Sequence, residues 1–415
     1  MFIVFFSEKL ASLIYLKGPD SESVMAMWGR EVVEKAFFVD PDIAKAETLP
    51  AYAFEDPDVL SLELSTLFAK TWLLVPEKTG TEIGPSTLRE LLESPGSRVP
   101  FSVLGRALFL QRNRNGELRC FPNVCTHAWH TLVEAPSSGG SIVCPQHGRR
   151  FDEEGRFLSQ AGFENLPGFP RKEDHLVGLL TASLDPFMFV CFEEPQASFQ
   201  SLVSELQKSI PGVDPGGLTR RIVGNEVREV EGNWKQHAWN YMDNYHIRFV
   251  HKGPDGLADG VDLSSYKTEL YSWSALQWVF ARDPAYGFDP KLLADRFRDP
   301  KDPGRRVFAL WWFLFPNLAL NFYPWGLSVN LWMPVPGRPD RTMFYWYHYS
   351  LDDEKFGRRN EIWLDEQVDR EDIEAIGEVA KGVRSGFAPR GRFIPGDEAG
   401  PHWFHRLVFE SIFQE

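Results

Sequence analysis

Cys125-Thr126-His127 and, after 16 further residues, Cys144-Pro145-Gln146-His147 set two thiols and two imidazoles in paired hooks, C-x-H and C-x-x-H. Two chemistries use such a set. Tetrahedral zinc takes Cys₂His₂. A [2Fe–2S] cluster can take two Cys on one iron and two His on the other. The residues around the hooks are small or polar: Gly148 follows His147, and Ser137-Ser138-Gly139-Gly140 lies between the hooks. Tight loops of this kind bring backbone N–H groups towards sulfur, which tunes the potential of a cluster. The run from Cys144 to Asp152 then passes through Glu153-Glu154-Gly155 into Arg156-Phe157, which reads as strand, turn, strand. These features favour the cluster. The alternative is a zinc-stapled ligand-binding protein.

A second constellation lies about 100 residues on, at Asp243-Asn244-Tyr245-His246-Ile247-Arg248-Phe249-Val250-His251. The stretch Asn233–His251 reads as a helix, with residues 240, 243 and 246 on one face. His251 is five residues beyond His246, about 140° round an ideal helix. Both can face one metal only if the helix bends, bulges or ends between them, and Lys252-Gly253-Pro254-Asp255-Gly256 would end it. An oxygen-activating iron needs a carboxylate as well as two His. A helix from about Asp352 to Ser385 offers Asp365, Glu366, Asp369, Glu371, Asp372, Glu374 and Glu378. Its apolar stripe is Val368, Ile373, Ile376, Val379, Ala380 and Val383. At about 100° per residue Asp372 falls inside the stripe and Asp365 and Asp369 near it, while Glu371, Glu374 and Glu378 point away. Phase alone leaves three candidates.

The elements that must hold these groups divide the 415 residues in two or three. Residues 1–45 carry no assigned function, and 46–75 form a lead-in segment, with Val59–Trp72 helical, that packs on the catalytic domain. Residues 76–196 read as short strands with Gly and Asn turns, from Phe101–Leu104 through the Asn113-Arg114-Asn115-Gly116 turn to Phe187–Phe192. From 197 to 415, strands rich in Trp, Phe and Tyr occupy 267–281, 306–314, 317–333 and 341–350 and precede the long helix. The fold class is α+β, a helix packed over an antiparallel sheet. The net charge of −14 argues against a nucleic-acid partner. No apolar run approaches the length of a membrane span. Four cysteines, two of them in the hooks, make no disulfide framework; Cys120 and Cys191 read as buried and reduced, and a cytoplasmic location is expected.

The hooks, the Asp243/His246/His251 stretch and Arg370-Glu371-Asp372-Ile373 through Gly382-Val383-Arg384-Ser385-Gly386 together resemble the α subunits of Rieske non-haem iron ring-hydroxylating oxygenases, from about Leu49 to Phe413. Rieske proteins of the cytochrome bc type carry an extra Cys pair where this chain has His130 and Gln146, so the likeness is to the oxygenase and ferredoxin branch. Leu320–Asn330 and Cys144–Phe151 are similar to the choline monooxygenase-like branch. The resemblance implies a Rieske β-domain joined to a catalytic helix-grip domain. It implies a cluster on Cys125, His127, Cys144 and His147, and a mononuclear Fe(II) on His246, His251 and Asp372. Asp243 would bridge a cluster His of one subunit to an iron His of its neighbour, with Asn240 near the iron, in a head-to-tail homotrimer. Asn233-Trp234-Lys235 would serve packing. The implied activity is O₂-dependent hydroxylation or oxidative demethylation of a small organic substrate, with quaternary-amine monooxygenation and aromatic-ring dioxygenation as the specific forms. A pure electron carrier would end near 110 residues. With no G-x-G-x-x-G fingerprint, electrons from NAD(P)H would come through a separate flavin reductase, with or without a ferredoxin. The chain departs from its relatives at Ala128-Trp129, where Arg-Gly is usual, at Gln146, where Tyr is usual, at Ala380, where Gln is frequent, and at Asp243, where several carry Glu. Trp273, Trp278, Phe280, Trp311, Phe313 and Tyr323 are candidate walls of a cation–π cage.

Overall fold

The structure is a computed structural model that describes residues 29–77, 88–213, 222–252, 256–358 and 365–413. It divides into two compact units, one of Ala69–Pro195 and one of the remaining residues on both sides.

The inserted unit is built of ten short strands: β1 (Leu73–Leu74), β2 (Ser97–Val103), β3 (Arg106–Arg112), β4 (Leu118–Pro122), β5 (Ser137–Ser138), β6 (Ile142–Val143), β7 (Arg150–Phe151), β8 (Phe157–Ser159), β9 (Leu180–Leu184) and β10 (Phe187–Cys191). They form three antiparallel sheets in the orders β1-β10-β9, β4-β3-β2-β5 and β6-β7-β8. The β2–β3 hairpin closes on Leu104 and Gly105, both at positive φ, the backbone that a two-residue turn between twisted strands requires. Asn113 closes the next hairpin, its side chain accepting the N–H groups of Asn115 and Glu117. Phe109, Phe121 and Phe151 form a core into which Cys125 and Cys144 are packed. The strand at Leu73–Leu74 lies within the stretch expected as lead-in but pairs with β10 of this unit.

The second unit centres on a seven-stranded antiparallel sheet of β11 (Ile222–Glu231), β12 (Lys267–Leu270), β13 (Ser274–Phe280), β14 (Val307–Leu314), β15 (Leu318–Tyr323), β16 (Gly326–Val335) and β17 (Arg338–Ser350), in the order β11-β17-β16-β15-β14-β13-β12. The single strand expected over 317–333 is a tight hairpin, turned at Pro324-Trp325. Pairing register decides what the sheet presents. Gln277, Trp311, Asn321 and Ser328 stand directly opposite one another across β13, β14, β15 and β16. Side chains two apart share a face, so Tyr323, Asn330 and Trp332 join the same side.

Helices α1 (Arg30–Phe37), α2 (Pro57–Ser65), α3 (Phe199–Ser209), α4 (Trp234–Met242), α5 (Ile247–Val250), α6 (Leu257–Gly260), α7 (Asp353–Arg358), α8 (Asp365–Arg384) and α9 (Ala399–Phe413) complete the unit. The helix expected over Val59–Trp72 is shorter. Asp56 caps its start by accepting Asp58 and Val59 N–H groups, and it ends at Ser65. The helix expected over 352–385 divides into α7 and α8, with 359–364 outside the described residues. Of the first 45 residues, 1–28 are also outside them. Phe37 of α1 is buried against Tyr52 and Phe413.

The helix carrying the second constellation is pinned at its start. Asn233 caps α4 reciprocally with Gln236 and donates to Phe54 O and Pro339 O. Lys235 and Glu63 are both fully buried, 2.6 Å apart, and Trp234 donates to the other Glu63 oxygen at 2.8 Å. Burial holds Lys235 below its ordinary pKa, against the pull of Glu63. Removing one partner strands the other charge without water, whereas removing both strands neither. Glu63→Gln is expected to destabilise the protein by about 3–5 kcal/mol. The Glu63→Leu/Lys235→Met pair should cost less than either single change in denaturant midpoint. A Glu63→Gln variant with unchanged midpoint would show that the pair does not anchor α4.

Candidate active site

The two hooks of the inserted unit adopt one backbone design. Cys125 N donates to His130 O and its own carbonyl accepts Trp129 N; Cys144 N donates to Arg149 O and its carbonyl accepts Gly148 N. The residue four after each Cys is left-handed, Trp129 at φ 62° and Gly148 at φ 68°. Glycine adopts this backbone freely; at Trp129 it costs about 1–2 kcal/mol. The indole it carries is 83% exposed. His127 and His147 approach with ring centroids 4.8 Å apart. Burial pushes the Cys125 thiol up, while the backbone N–H groups of His127 and Ala128, directed at its sulfur, pull it down. Behind the loops Arg149, 1% exposed, donates to Gln160 at 2.6 Å and Thr126 at 2.8 Å and sits 3.5 Å from Asp174. Gln160 Nε2 in turn lies 3.0 Å from His127 Nδ1. Sequence reasoning passed over this Arg149–Gln160 brace; the only signal was an Arg two residues after a hook His.

A tetrahedral zinc would draw all four hook atoms to within about 3.4–3.8 Å of one another. Among the described residues, the one group of three or more His, Cys, Asp and Glu ligand atoms all lying within 4.8 Å of one another is His246, His251 and Asp372. The hook atoms form no such group of three or more. Cys120 and Cys191 are buried free thiols, and burial pushes Cys191 up to about 11.

In the second unit the helix expected over 233–251 breaks before His246, not after it. Asp243 ends α4 with ψ 113° and its Oδ1 accepts Tyr245 N at 2.7 Å, an Asx turn. The chain then starts the one-turn helix α5, with His246 at its N-cap and His251 at its C-cap. This offsets the 140° phase difference. His246 Nε2 and His251 Nε2 come to 3.1 Å, and Asp372 Oδ1 stands 3.4 Å from the first and 3.1 Å from the second. A metal about 2.1 Å from three facial ligands separates them by about 3.0 Å. Asp372 Oδ1 is buried and makes no hydrogen bond, so the triangle fits a cation at its centre. Burial works against charge on His246, but the Asp243 and Asp372 carboxylates outweigh it and push it up to about 10. Burial alone would raise Asp372; the two imidazoles hold it well below the carboxylate range. A field that favours a proton on these imidazoles favours a divalent cation in its place.

Each imidazole has a carboxylate behind it. Asp243 Oδ2 is 3.6 Å from His246 Nδ1, an electrostatic contact beyond hydrogen-bond range. Glu371 Oε2 is 2.7 Å from His251 Nδ1, and Gln367 donates to its other oxygen at 2.8 Å. Helical phase alone turns Glu371 away from the site. Its place is on the flank of α8, which packs on α5, and a two-methylene stem reaches across. Of the other acids, Asp369 accepts Asn330 Nδ2 at 3.0 Å.

The triad opens into a cavity of about 90 Å³ lined by Asn240, Tyr241, Tyr266, Gln277, Trp311, Asn321, Tyr323, Ser328, Asn330, Trp332, Phe344, Trp346 and Asp369, among others. Of the six aromatics expected as walls, Trp311 and Tyr323 line it. Trp278 and Phe280 pack on each other, Trp278 being on the sheet face opposite Gln277, and Trp273 packs on Phe315. Phe313 shares the face of Trp311 but lies under α9, against Trp403 and Phe404. Tyr241, Tyr266, Trp332, Phe344 and Trp346 are the walls the sequence reading lacked; the available signal was Asn321 and Asn330, polar residues inside fully buried strands.

Residues 87–170 match the Rieske [2Fe-2S] domain, and residues 219–412 match the catalytic domain of the ring hydroxylating alpha subunit. The chloroplastic choline monooxygenase of Amaranthus tricolor is 24% identical over 90% of this chain and 80% of its own. The carnitine monooxygenase oxygenase subunit of Escherichia coli K12 is 23% identical over 92% of this chain and 98% of its own. The fold is shared with a quaternary ammonium Rieske monooxygenase in complex with L-carnitine, at TM-score 0.67 and 20% identity over 89% of this chain and 97% of that one. It is shared also with naphthalene 1,2-dioxygenase from Rhodococcus sp., at TM-score 0.68 and 16% identity over 92% and 97%. Among the described residues no helix is long and apolar enough to cross a membrane. With cluster hooks in one unit and a His–His–carboxylate triangle in the other, this chain belongs to the Rieske ring-hydroxylating oxygenase α subunits: it is a terminal oxygenase, distantly homologous to the choline and carnitine monooxygenases.

Proposed function

We propose that the chain is the oxygenase component of a quaternary-amine monooxygenase, with a [2Fe–2S] cluster on Cys125, His127, Cys144 and His147 and a mononuclear Fe(II) on His246, His251 and Asp372. The observation that carries this reading is the small aromatic-walled cavity opening directly on the triad. Ring faces attract an alkylammonium by cation–π interaction without hydrogen-bonding it. Choline and carnitine monooxygenases among the relatives point the same way.

Iron(II) held there would supply the centre at which O₂ is reduced and oxygen is delivered to the substrate. The protein's own part is to fix the ligands. Glu371 sets the tautomer of His251 by accepting from Nδ1, which leaves Nε2 free to ligate. Asp243, 3.6 Å from His246 Nδ1, favours a proton on that nitrogen by its charge and not by a hydrogen bond. In this reading Asp243 also bridges to His147 of a neighbouring subunit, in a head-to-tail homotrimer closed as a ring. One solved relative is a quaternary ammonium Rieske monooxygenase whose structure bears on inter-subunit electron transfer. A separate NAD(P)H-dependent flavin reductase, with or without a ferredoxin, supplies the electrons.

Glu371→Gln is expected to lower metal affinity or turnover by about 10–100-fold, the usual effect of losing a carboxylate behind a ligating imidazole. Unchanged iron retention on chelator challenge together with unchanged turnover would remove Glu371 from the site. Asp243→Asn should keep both metal centres, yet its reduced cluster should stay reduced in air with substrate present; rapid reoxidation would sink the bridge. The function itself is tested by O₂ uptake with a competent reductase. Quaternary amines should give uptake matched by oxidised or demethylated product, with formaldehyde in the latter case. Coupled uptake with aromatic acids and none with any amine would contradict the proposal.

A further inference from the structure

One acceptor on the cavity wall has no donor among the described residues. His237, on α4, lines the cavity and is 2% exposed. Its Nε2 lies 2.9 Å from Glu231 O. A carbonyl can only accept, so Nε2 carries the proton of the neutral ring and Nδ1 keeps its lone pair. Unlike His246 Nδ1 and His405 Nε2, His237 Nδ1 is not walled in by protein, and the open space its residue borders is the cavity. The ring is held in place by the turn between β11 and α4. Gly232 makes that turn at φ 96°, where a Cβ would stand 2.7 Å from Ile376 Cγ2 and 3.4 Å from His237 Nε2. Burial pushes the imidazole down to about 4, against the Glu231 carbonyl and the Asp372 carboxylate, which pull the other way. A ferrous ion on Asp372 would cancel part of that pull, so the ring is neutral with the metal in place as well.

Other polar groups of the cavity serve one another. Tyr241 O–H donates to Asn321 Oδ1 at 2.6 Å, and Asn321 Nδ2 donates to Asn330 Oδ1 at 2.9 Å. Tyr266 O–H donates to Gln277 Oε1 at 3.1 Å, and Gln277 Nε2 donates to Tyr241 O at 2.8 Å. Trp311 Nε1 donates to Tyr323 Oη at 3.0 Å. Each of these donors ends on a protein acceptor, and none of them is directed at His237. Asn240, one turn on along the same face of α4, carries an amide that can donate or accept; His237 Nδ1 can only accept. Its N–H is committed to Glu231, so the ring has no proton to give. What it offers the cavity is a fixed, uncharged lone pair, and burying that without a donor is costly.

We propose that His237 is a specificity-determining residue of this cavity: its Nδ1 accepts a hydrogen bond from an O–H or N–H group of the substrate, so that the site selects molecules carrying such a donor over isosteres that lack it. A methyl group in the donor's place leaves the lone pair buried and unpaired, and the loss falls on binding. The selection acts on the donor, whatever carbon skeleton the aromatic walls admit. In its narrower form it rests on the amine reading of the preceding subsection and specifies a quaternary amine that bears a hydroxyl group, since the quaternary nitrogen itself has no N–H. The contact joins two neutral groups and does not depend on a balance of charge between the carboxylates and the iron.

Calorimetric titration of the anaerobic, iron-loaded protein tests this without turnover. The probes are two pairs, each differing by a hydroxyl against a methyl group: choline with propyltrimethylammonium, and benzyl alcohol with ethylbenzene. In the pair that the cavity admits, wild type should bind the alcohol about tenfold more tightly than its methyl isostere. His237→Phe, which keeps a ring without an acceptor, should lose that preference while binding the methyl compound within about threefold of wild type. The proposal falls if neither alcohol outbinds its isostere in wild type, or if His237→Phe keeps the preference. Where benzyl alcohol shows the preference and its loss in His237→Phe, and neither amine binds, the amine reading fails and His237 keeps its role. His237→Leu is a second variant without the acceptor, and the wild-type comparison can overturn the proposal whether or not either variant folds.

Discussion

An Asx turn governs this active site. The Asp243 side chain accepts the Tyr245 N–H and stops a helix that hydrophobic spacing would have continued. A helix running on would leave His246 and His251 about 140° apart. Broken at Asp243 and restarted at Ile247, the chain puts both imidazoles at the ends of a single turn, Nε2 atoms 3.1 Å apart. The carboxylate that makes the turn also directs its second oxygen towards His246. One residue thus sets both the backbone path and the field on a ligand. The rest of the unit holds that turn still: the Asn233–Gln236 capping box and the Lys235–Glu63 pair fix the start of α4, and α8 brings Asp372 across.

Buried charge is distributed with a clear division of work. Lys235 and Glu63 compensate each other at zero exposure. In the site itself the carboxylates of Asp243, Glu371 and Asp372 lie against the imidazoles of His246 and His251. An excess of buried anion is unfavourable until a cation arrives. The triad is therefore shaped for the positive charge of a metal. The hooks of the other unit follow a different design. Their two loops share one hydrogen-bond frame and differ in whether the His sits two or three residues after the Cys. Trp129 keeps the left-handed backbone that Gly148 adopts without strain, and the result is an exposed indole beside the first hook.

Much of this is legible in the sequence, because it rests on local spacing. The hooks, the choice of Asp372 once the family is seen, and the antiparallel aromatic strands all follow from residues within one turn or one strand. The break expected after His246 comes before it, because an Asx turn is decided by one side-chain hydrogen bond that periodicity does not register. Glu371 is turned away by phase, since phase describes where a Cβ points and not how far a glutamate reaches. The cavity walls depend on strand register: Trp311 faces the cavity while Trp278 faces away because Gln277 pairs with Trp311. Register between β13 and β16 is a non-local fact, and only the polar Gln277, Asn321, Ser328 and Asn330 hint at it.

The most direct test of the whole account is the iron content of Asp372→Ala, measured with the EPR signal of its reduced cluster. Wild type should hold about three irons per chain, two in the cluster and one at the triad. The variant should hold about two, with a cluster signal indistinguishable from wild type. Retention of the third iron, or loss of the cluster signal along with it, would contradict an account in which the two centres are built by separate units and the second is closed by Asp372.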